Sequence, residues 1–332
     1  MKRHLIAYIS VICAVLLFAP SCKKKTVVVD KPQTDWALYE LQGKVAVINE
    51  QMYNMLTDEV SQRKLYFDTT GMLVNRSFYE GNQLVRQIVY TDSMRYQLDA
   101  DNMVEWITIV KRDSVGQIIE EYSESEMGSW TTTYNYTADR LLAMETTLSP
   151  EGELMSATHY SYNADKRLEQ QIEVGADGQV GLMTNYTYYN SGLLHKVEQF
   201  DGDGLLQQAQ IYTYDSDGNQ VEEIYTNGSG VTFYSSRTKY ENGMPTERLC
   251  TGSNIYNQKY TYTYKDGHRA TETIVESEVR DGQEVVLIKT LRTCDKFGNW
   301  VEEKIFEADA NYNLIPTMVT NRILEYYESR IV

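Results

Sequence analysis

Polar and apolar positions alternate along most of the chain in runs of about 8–10 residues, and each run stops at a cluster of Asp, Asn and Gly. Thr184-Asn185-Tyr186-Thr187-Tyr188 shows the alternation. A period of two marks a strand with one covered face. Asp177-Gly178, Asp203-Gly204, Asp217-Gly218 and Asn242-Gly243 punctuate the runs. Such residues tolerate the left-handed backbone that tight hairpin turns need. The pattern predicts antiparallel hairpins with strands roughly 30 Å long.

The runs repeat. Tyr134/Tyr136, Tyr160/Tyr162, Tyr186/Tyr188 and Tyr212/Tyr214 are pairs set 26 residues apart. Thr238/Tyr240 continues the step, and Tyr260, Tyr262 and Tyr264 follow with two residues deleted. A second column (Asp139, Asp165, Ser191, Asp217, Gly243) and a third (Gly152, Gly178, Gly204, Gly230) keep the same period. One 26-residue unit is therefore one hairpin, and self-similarity at fixed period defines the architecture. The Tyr columns are expected on one face of the sheet, with their hydroxyls reaching water. Weaker copies at Phe67–Gly71, Arg112–Gly116 and Cys294–Glu303 extend the repeat over about residues 42–305. The fold class is all-β: one long antiparallel meander, curled into an open sheet or a barrel-like spiral. Residues 318–329 are expected to add a final strand that covers one edge.

Tyr214-Asp215-Ser216-Asp217-Gly218-Asn219 resembles the YD (RHS-type) repeat, and Leu41-Gln42-Gly43-Lys44-Val45 looks like the opening of small RHS-repeat lipoproteins of gut Gram-negative bacteria. The resemblance implies a β-repeat fold. It does not imply a toxin, because no toxin domain and no core-ending Asp-Pro-x-Gly-Leu segment follow. The chain is also too short for the closed shell of large RHS proteins.

Composition agrees. Tyr, at 27 residues, outnumbers Phe at 7 and Trp at 4. Aromatic and β-branched residues favour strands. The formal charge of −16 argues against a nucleic-acid partner, which needs a Lys/Arg-rich face. The first residues supply an address. Lys2 and Arg3 precede a 15-residue, nearly apolar run, Leu5 to Ala19, too short to span a bilayer. Ala19-Pro20-Ser21-Cys22 resembles a bacterial lipobox, which makes Cys22 the lipidated residue. Residues 1–21 are read as a lipoprotein signal peptide, 22–34 as a tether and 35–332 as a single repeat domain. The membrane is then a partner through the lipid anchor. Lysines at 23–25, where surface-exported lipoproteins tend to carry acidic residues, favour the periplasmic face of the outer membrane.

Candidate chemistry is sparse. His159, His195 and His268 fall at non-equivalent repeat positions, and none has metal-ligand spacing. The Asp215 loop fails as an EF-hand, with Gln220 and Thr226 where Gly and Glu are needed. No cofactor, metal or catalytic residue is assigned. Cys250 and Cys294 are read either as a bridge closing about 45 residues, adding about 4 kcal/mol, or as buried free thiols. Thr69, Ser93 and Ser114 follow Asp and precede Thr, Met and Val, a pattern that resembles O-glycosylation acceptors of exported proteins and that also suits turns. Trp130 beside Tyr134 and Tyr136, with the Tyr columns at 160, 162, 186, 188, 212 and 214, gives the candidate ligand-facing aromatics. The leading reading is a non-enzymatic, envelope-anchored binding or scaffold module for a glycan or a protein. A glycan hydrolase and an immunity or chaperone-like partner of a secreted toxin are the alternatives.

Overall fold

The computed structural model describes residues 34–253 and 255–327. Cys22 and the leader lie outside the described residues. A one-turn helix, α1 (Asp35–Leu38), opens the described chain, with Thr34 as its N-cap. There follow β1 (Val45–Asn54), β2 (Glu59–Phe67), β3 (Leu73–Glu80), β4 (Gln83–Tyr90), β5 (Met94–Asp99), β6 (Val104–Arg112), β7 (Ile118–Ser125) and β8 (Gly128–Tyr136). The regular repeats supply β9 (Leu142–Leu148), β10 (Leu154–Tyr162), β11 (Leu168–Gly175), β12 (Val180–Tyr188), β13 (Leu194–Asp201), β14 (Leu206–Tyr214) and β15 (Gln220–Asn227). The last arc is β16 (Thr232–Glu241), β17 (Met244–Gly252), β18 (Ile255–Lys265), β19 (His268–Arg280), β20 (Gln283–Cys294), β21 (Trp300–Ala308) and β22 (Leu314–Tyr326).

Each strand pairs antiparallel with its neighbours in sequence, and β22 pairs back onto β1. The meander thus closes into a 22-stranded barrel. At about 4.8 Å per strand its girth is about 105 Å. The sequence left an open sheet and a barrel-like curl as alternatives, and the ring is closed: one turn of sheet uses every strand. The segment expected to cover an edge is instead the closing strand, hydrogen-bonded to β21 and to β1. Register shifts recur near the strand ends, as at Ser161/Tyr162, Thr187/Tyr188 and Thr213/Tyr214. Bulges add twist and bend the strand, so a repeat that carries one at each Tyr accumulates curvature.

The turns work as their residues dictate. Asp215 Oδ1 accepts from the backbone N–H of Asp217 and Asn219, both at 2.9 Å, and Gly218 takes φ +85°. Asp68, Asp113 and Asp295 do the same in their turns.

A closed sheet has a luminal and an outer face, and the segment after α1 identifies the luminal one. Tyr39 packs edge-on against Phe67 of β2, its hydroxyl meets Arg76 of β3, and it lines a small cavity with Arg269, Glu272 and Arg292 of β19 and β20. β3 and β19 lie six places apart around the ring, so one side chain touches both only across a concave surface. Most side chains on this face stay half-buried. Among the described residues the contiguous apolar core sits at the closure, where Leu41, Val45, Ile48, Leu65, Phe67 and Leu73 pack under Trp36 and Tyr39.

Trp36 anchors this core. Its Nε1 donates to the Val45 carbonyl at 2.7 Å, and its ring lies on Gly71, where an added Cβ would stand 2.5 Å from the ring. Gly71 also has φ +91°. Gly71→Ala is expected to displace the indole and to cost about 2 kcal/mol, from strain and lost packing together. Urea denaturation reads the loss, and near-ultraviolet circular dichroism reads the freed ring.

Candidate functional site: the barrel lumen

Carried from strand to strand through the register, the luminal face holds Trp130 and both Tyr columns. Trp130 and Tyr134 lie opposite Ser123 and Glu145, Tyr160 opposite Gln171, Tyr186 opposite Val197 and Tyr212 opposite Glu223. Tyr136, Tyr162, Tyr188 and Tyr214 follow two residues later on the same strands. The structure therefore brings all nine candidate aromatics to one surface.

Where the alternation suggested hydroxyls reaching water, those of Tyr134, Tyr136, Tyr160, Tyr162, Tyr188 and Tyr212 meet protein partners. Tyr136 donates to the Ile118 carbonyl at 2.7 Å, Tyr162 to Leu142 at 2.8 Å and Tyr188 to Leu168 at 2.8 Å. Tyr240 and Tyr264 repeat the contact onto Gln220 and Pro245. Each phenol lies across the strand before its own and ties one hairpin to the last. The other column meets polar side chains: Tyr134 donates to Glu121 at 3.2 Å, Tyr160 to Glu145 and Tyr212 to Gln210 at 2.7 Å. Tyr214 meets Tyr189 edge-on, 6.0 Å between centroids. Burial first, then the neighbouring carboxylate, raises Tyr134 and Tyr160. Tyr160 is pushed up to about 12, and Tyr134 rises by burial and Glu121.

The closure adds an ionic lining beyond the single pairs Arg95–Glu121 and Arg248–Glu223 found elsewhere on the luminal face. Glu50 accepts from Arg63 of β2 at 3.0 Å and from Arg322 of β22 at 2.7 Å. Arg292 bridges Glu272 at 2.9 Å and Glu303 at 2.6 Å. Arg322 lies 3.2 Å from the Trp300 ring centroid. Luminal cations along the strands are arginines: Arg63, Arg76, Arg86, Arg95, Arg248, Arg269, Arg292 and Arg322. Guanidinium groups stack on rings and form fork-like pairs, which suits a half-dry wall.

The outer face differs. Its pairs are Lys111–Glu120, Lys196–Glu198, Lys239–Glu247, Lys259–Glu247 and Arg237–Glu222. Lys239 and Lys259 hold the Glu247 carboxyl down at about 2. A barrel that crosses a bilayer presents an apolar band to lipid. On this outer face Arg237, Glu247, Glu198 and Lys259 place charge well inside their strands. No helix among the described residues is long and apolar enough to cross a membrane.

The remaining sequence candidates fall elsewhere. Cys250 and Cys294 are free thiols on β17 and β20. Three strand spacings are about 14 Å, well beyond the roughly 4–7 Å that a disulfide allows between Cα atoms. The bridge is thus corrected to two separate thiols, with Cys250 accepting from the Tyr234 hydroxyl at 3.5 Å. Thr69, Ser93 and Ser114 are exposed in the β2–β3, β4–β5 and β6–β7 turns, all on one rim. His159 faces outward, His195 stacks on Tyr189 at 4.4 Å, and His268 is exposed. Among the described residues no three His, Cys, Asp or Glu side chains are placed to hold a metal ion.

The chain matches no protein-family model and no curated protein. Solved structures do resemble it. A porin-like protein from Bacteroides uniformis ATCC 8492 is 14% identical with a TM-score of 0.36, over 86% of this chain and 99% of that one. A porin-like protein from Bacteroides vulgatus ATCC 8482 is 11% identical with a TM-score of 0.21, over 85% and 98%. The TcdB2-TccC3-Cdc42 complex is 11% identical with a TM-score of 0.30, over 83% of this chain and 20% of that one.

Proposed function

We propose that the chain is a non-enzymatic binding or scaffold module of the cell envelope, built from YD-type repeats. In this reading Cys22 carries lipid, the barrel stands in water beside the outer membrane on its periplasmic side, and glycan or envelope protein is the ligand class. The observation that carries the reading is the state of the luminal polar groups. Phenols are taken up by neighbouring backbone and carboxylates, and guanidiniums by Glu50, Glu272 and Glu303. Such a wall is stiff and preorganised, which favours binding, because less ordering cost is left for the complex. The charged outer surface supports a body held beside a membrane rather than in it.

The test is a titration of the full chain with soluble glycans and with envelope proteins, followed by Trp fluorescence and repeated on Trp130→Ala. Saturable binding without chemical change in the ligand is expected. Cleavage of a glycan, or no binding in either series, overturns the reading.

A further inference from the structure

The two open ends of the barrel are not alike. Turns that follow even-numbered strands lie on the α1 rim, and turns that follow odd-numbered strands lie on the far rim. On the far rim Leu56, Met103, Met127, Leu205, Val231 and Val279 are each at least 60% exposed, Met127 at 97%. Five come from different turns, and Val279 stands near the end of β19 beside the β19–β20 turn. Single exposed apolar residues are ordinary. Five turns and the end of β19 each add one, which makes a discontinuous apolar set on a single rim.

Turn chemistry does not produce it. Leu141 and Leu193 on the α1 rim occupy the turn position that Leu205 and Val231 occupy on the far rim. Each follows a residue of positive φ: Arg140, Gly192, Gly204 and Gly230. Leu141 and Leu193 are half-buried, whereas Leu205 and Val231 are exposed.

Charge separates the rims in the same way. Asp58, Asp101, Glu126, Asp177, Asp203 and Asp281 are exposed on the far rim. Among the described residues its turns hold no Lys or Arg, and Arg280, the last residue of β19, is already paired with Glu278 and the Tyr312 hydroxyl. The α1 rim uses equivalent Asp turns at Asp68, Asp113, Asp215 and Asp295, yet intersperses Arg112, Arg140, Lys166, Arg167 and Lys296.

We infer that the far rim is a docking surface for a basic, amphipathic polypeptide. Exposed Met, Leu and Val supply apolar contact, and the uncompensated carboxylates select cationic neighbours. An anionic lipid surface would be repelled, and so would the same rim of a second copy. The inference rests on the binding-module reading and names the surface and the partner's chemistry.

The probe is a fluorescent amphipathic peptide of Lys and Leu, titrated into the full chain, with a Lys/Ser peptide of equal charge as its control. Two far-rim variants are compared with wild type: Met127→Ser/Leu205→Ser/Val231→Ser, and Asp177→Asn/Asp203→Asn/Asp281→Asn. Met72→Ser/Val115→Ser serves as the α1-rim control. The altered positions are exposed, so unchanged melting temperatures are expected and are checked. Both far-rim variants should weaken the Lys/Leu peptide by about tenfold or more, while the α1-rim variant and wild type agree, and added salt should weaken it further. Equal affinity for the Lys/Ser peptide would overturn the inference, as would loss in the α1-rim variant. Binding of anionic vesicles, or self-association abolished by the far-rim variants, would also overturn it. If the peptide fails while a glycan or envelope protein still binds, the rim proposal falls and the binding-module reading stands.

Discussion

Replacing Glu50 by alanine is expected to destabilise the barrel by about 3–5 kcal/mol and to loosen its closing strands. Glu50 and Arg322 are each 10% exposed at the side chain, and Arg63 contacts the same carboxylate. β1 meets β2 on one side and β22 on the other, so one residue holds both neighbours at the point where the ring closes. Alanine would leave the Arg322 guanidinium buried against Trp300 without its anion. An uncompensated buried charge is far more costly than the pair is stabilising. Glu50→Leu combined with Arg322→Leu should therefore recover most of the loss. Urea denaturation of wild type, single and double variants gives the comparison. A Glu50→Ala protein within about 1 kcal/mol of wild type would mean that water reaches the pair and screens it.

The second large effect is an alkaline one. Tyr134, Tyr136, Tyr160, Tyr162, Tyr186 and Tyr188 are all raised above the ordinary phenol value, with burial the leading cause. A raised value means that the folded protein holds the neutral phenol more tightly than the unfolded chain does. This stabilisation is complete below the unfolded value of about 10 and is lost as pH rises through the folded value, about 12 for Tyr160. The sign is fixed by the coupling: above about pH 10 the unfolded chain releases protons that the barrel still retains. Many phenols share the shift, so the loss should be steep and cooperative. Tyrosinate absorbance should stay low while the strand signal persists, and then both should change together. Free titration near pH 10 with the fold intact would show that the hydroxyl braces contribute little.

Short windows of sequence carried the strands and turns. The alternation at 184–188 became β12, and Asp215 to Asn219 became a turn closed by its own Asp. The shared face of Trp130 and the Tyr columns was also legible, because a period of two places residues i and i+2 together. The hydroxyl partners were not. Whether Tyr162 meets water or the Leu142 carbonyl depends on how the preceding hairpin lies beside it. The choice between a Cys250–Cys294 bridge and two free thiols stayed open for a related reason. Their separation follows from the number of strands between them, which no local window shows.

By itself the sequence determined a meander of hairpins, its turn residues and the side of the sheet on which its tyrosines stand, since each follows from local period and backbone preference. The tertiary structure decided that the sheet closes, that Glu50 meets an arginine 272 positions away, and that Leu205 and Val231 stay exposed on one rim while Leu141 and Leu193 are half-buried on the other. Closure is a sum of small twists over 22 strands, and no single window holds that sum. The pairings that depend on it exist only once the ring is complete.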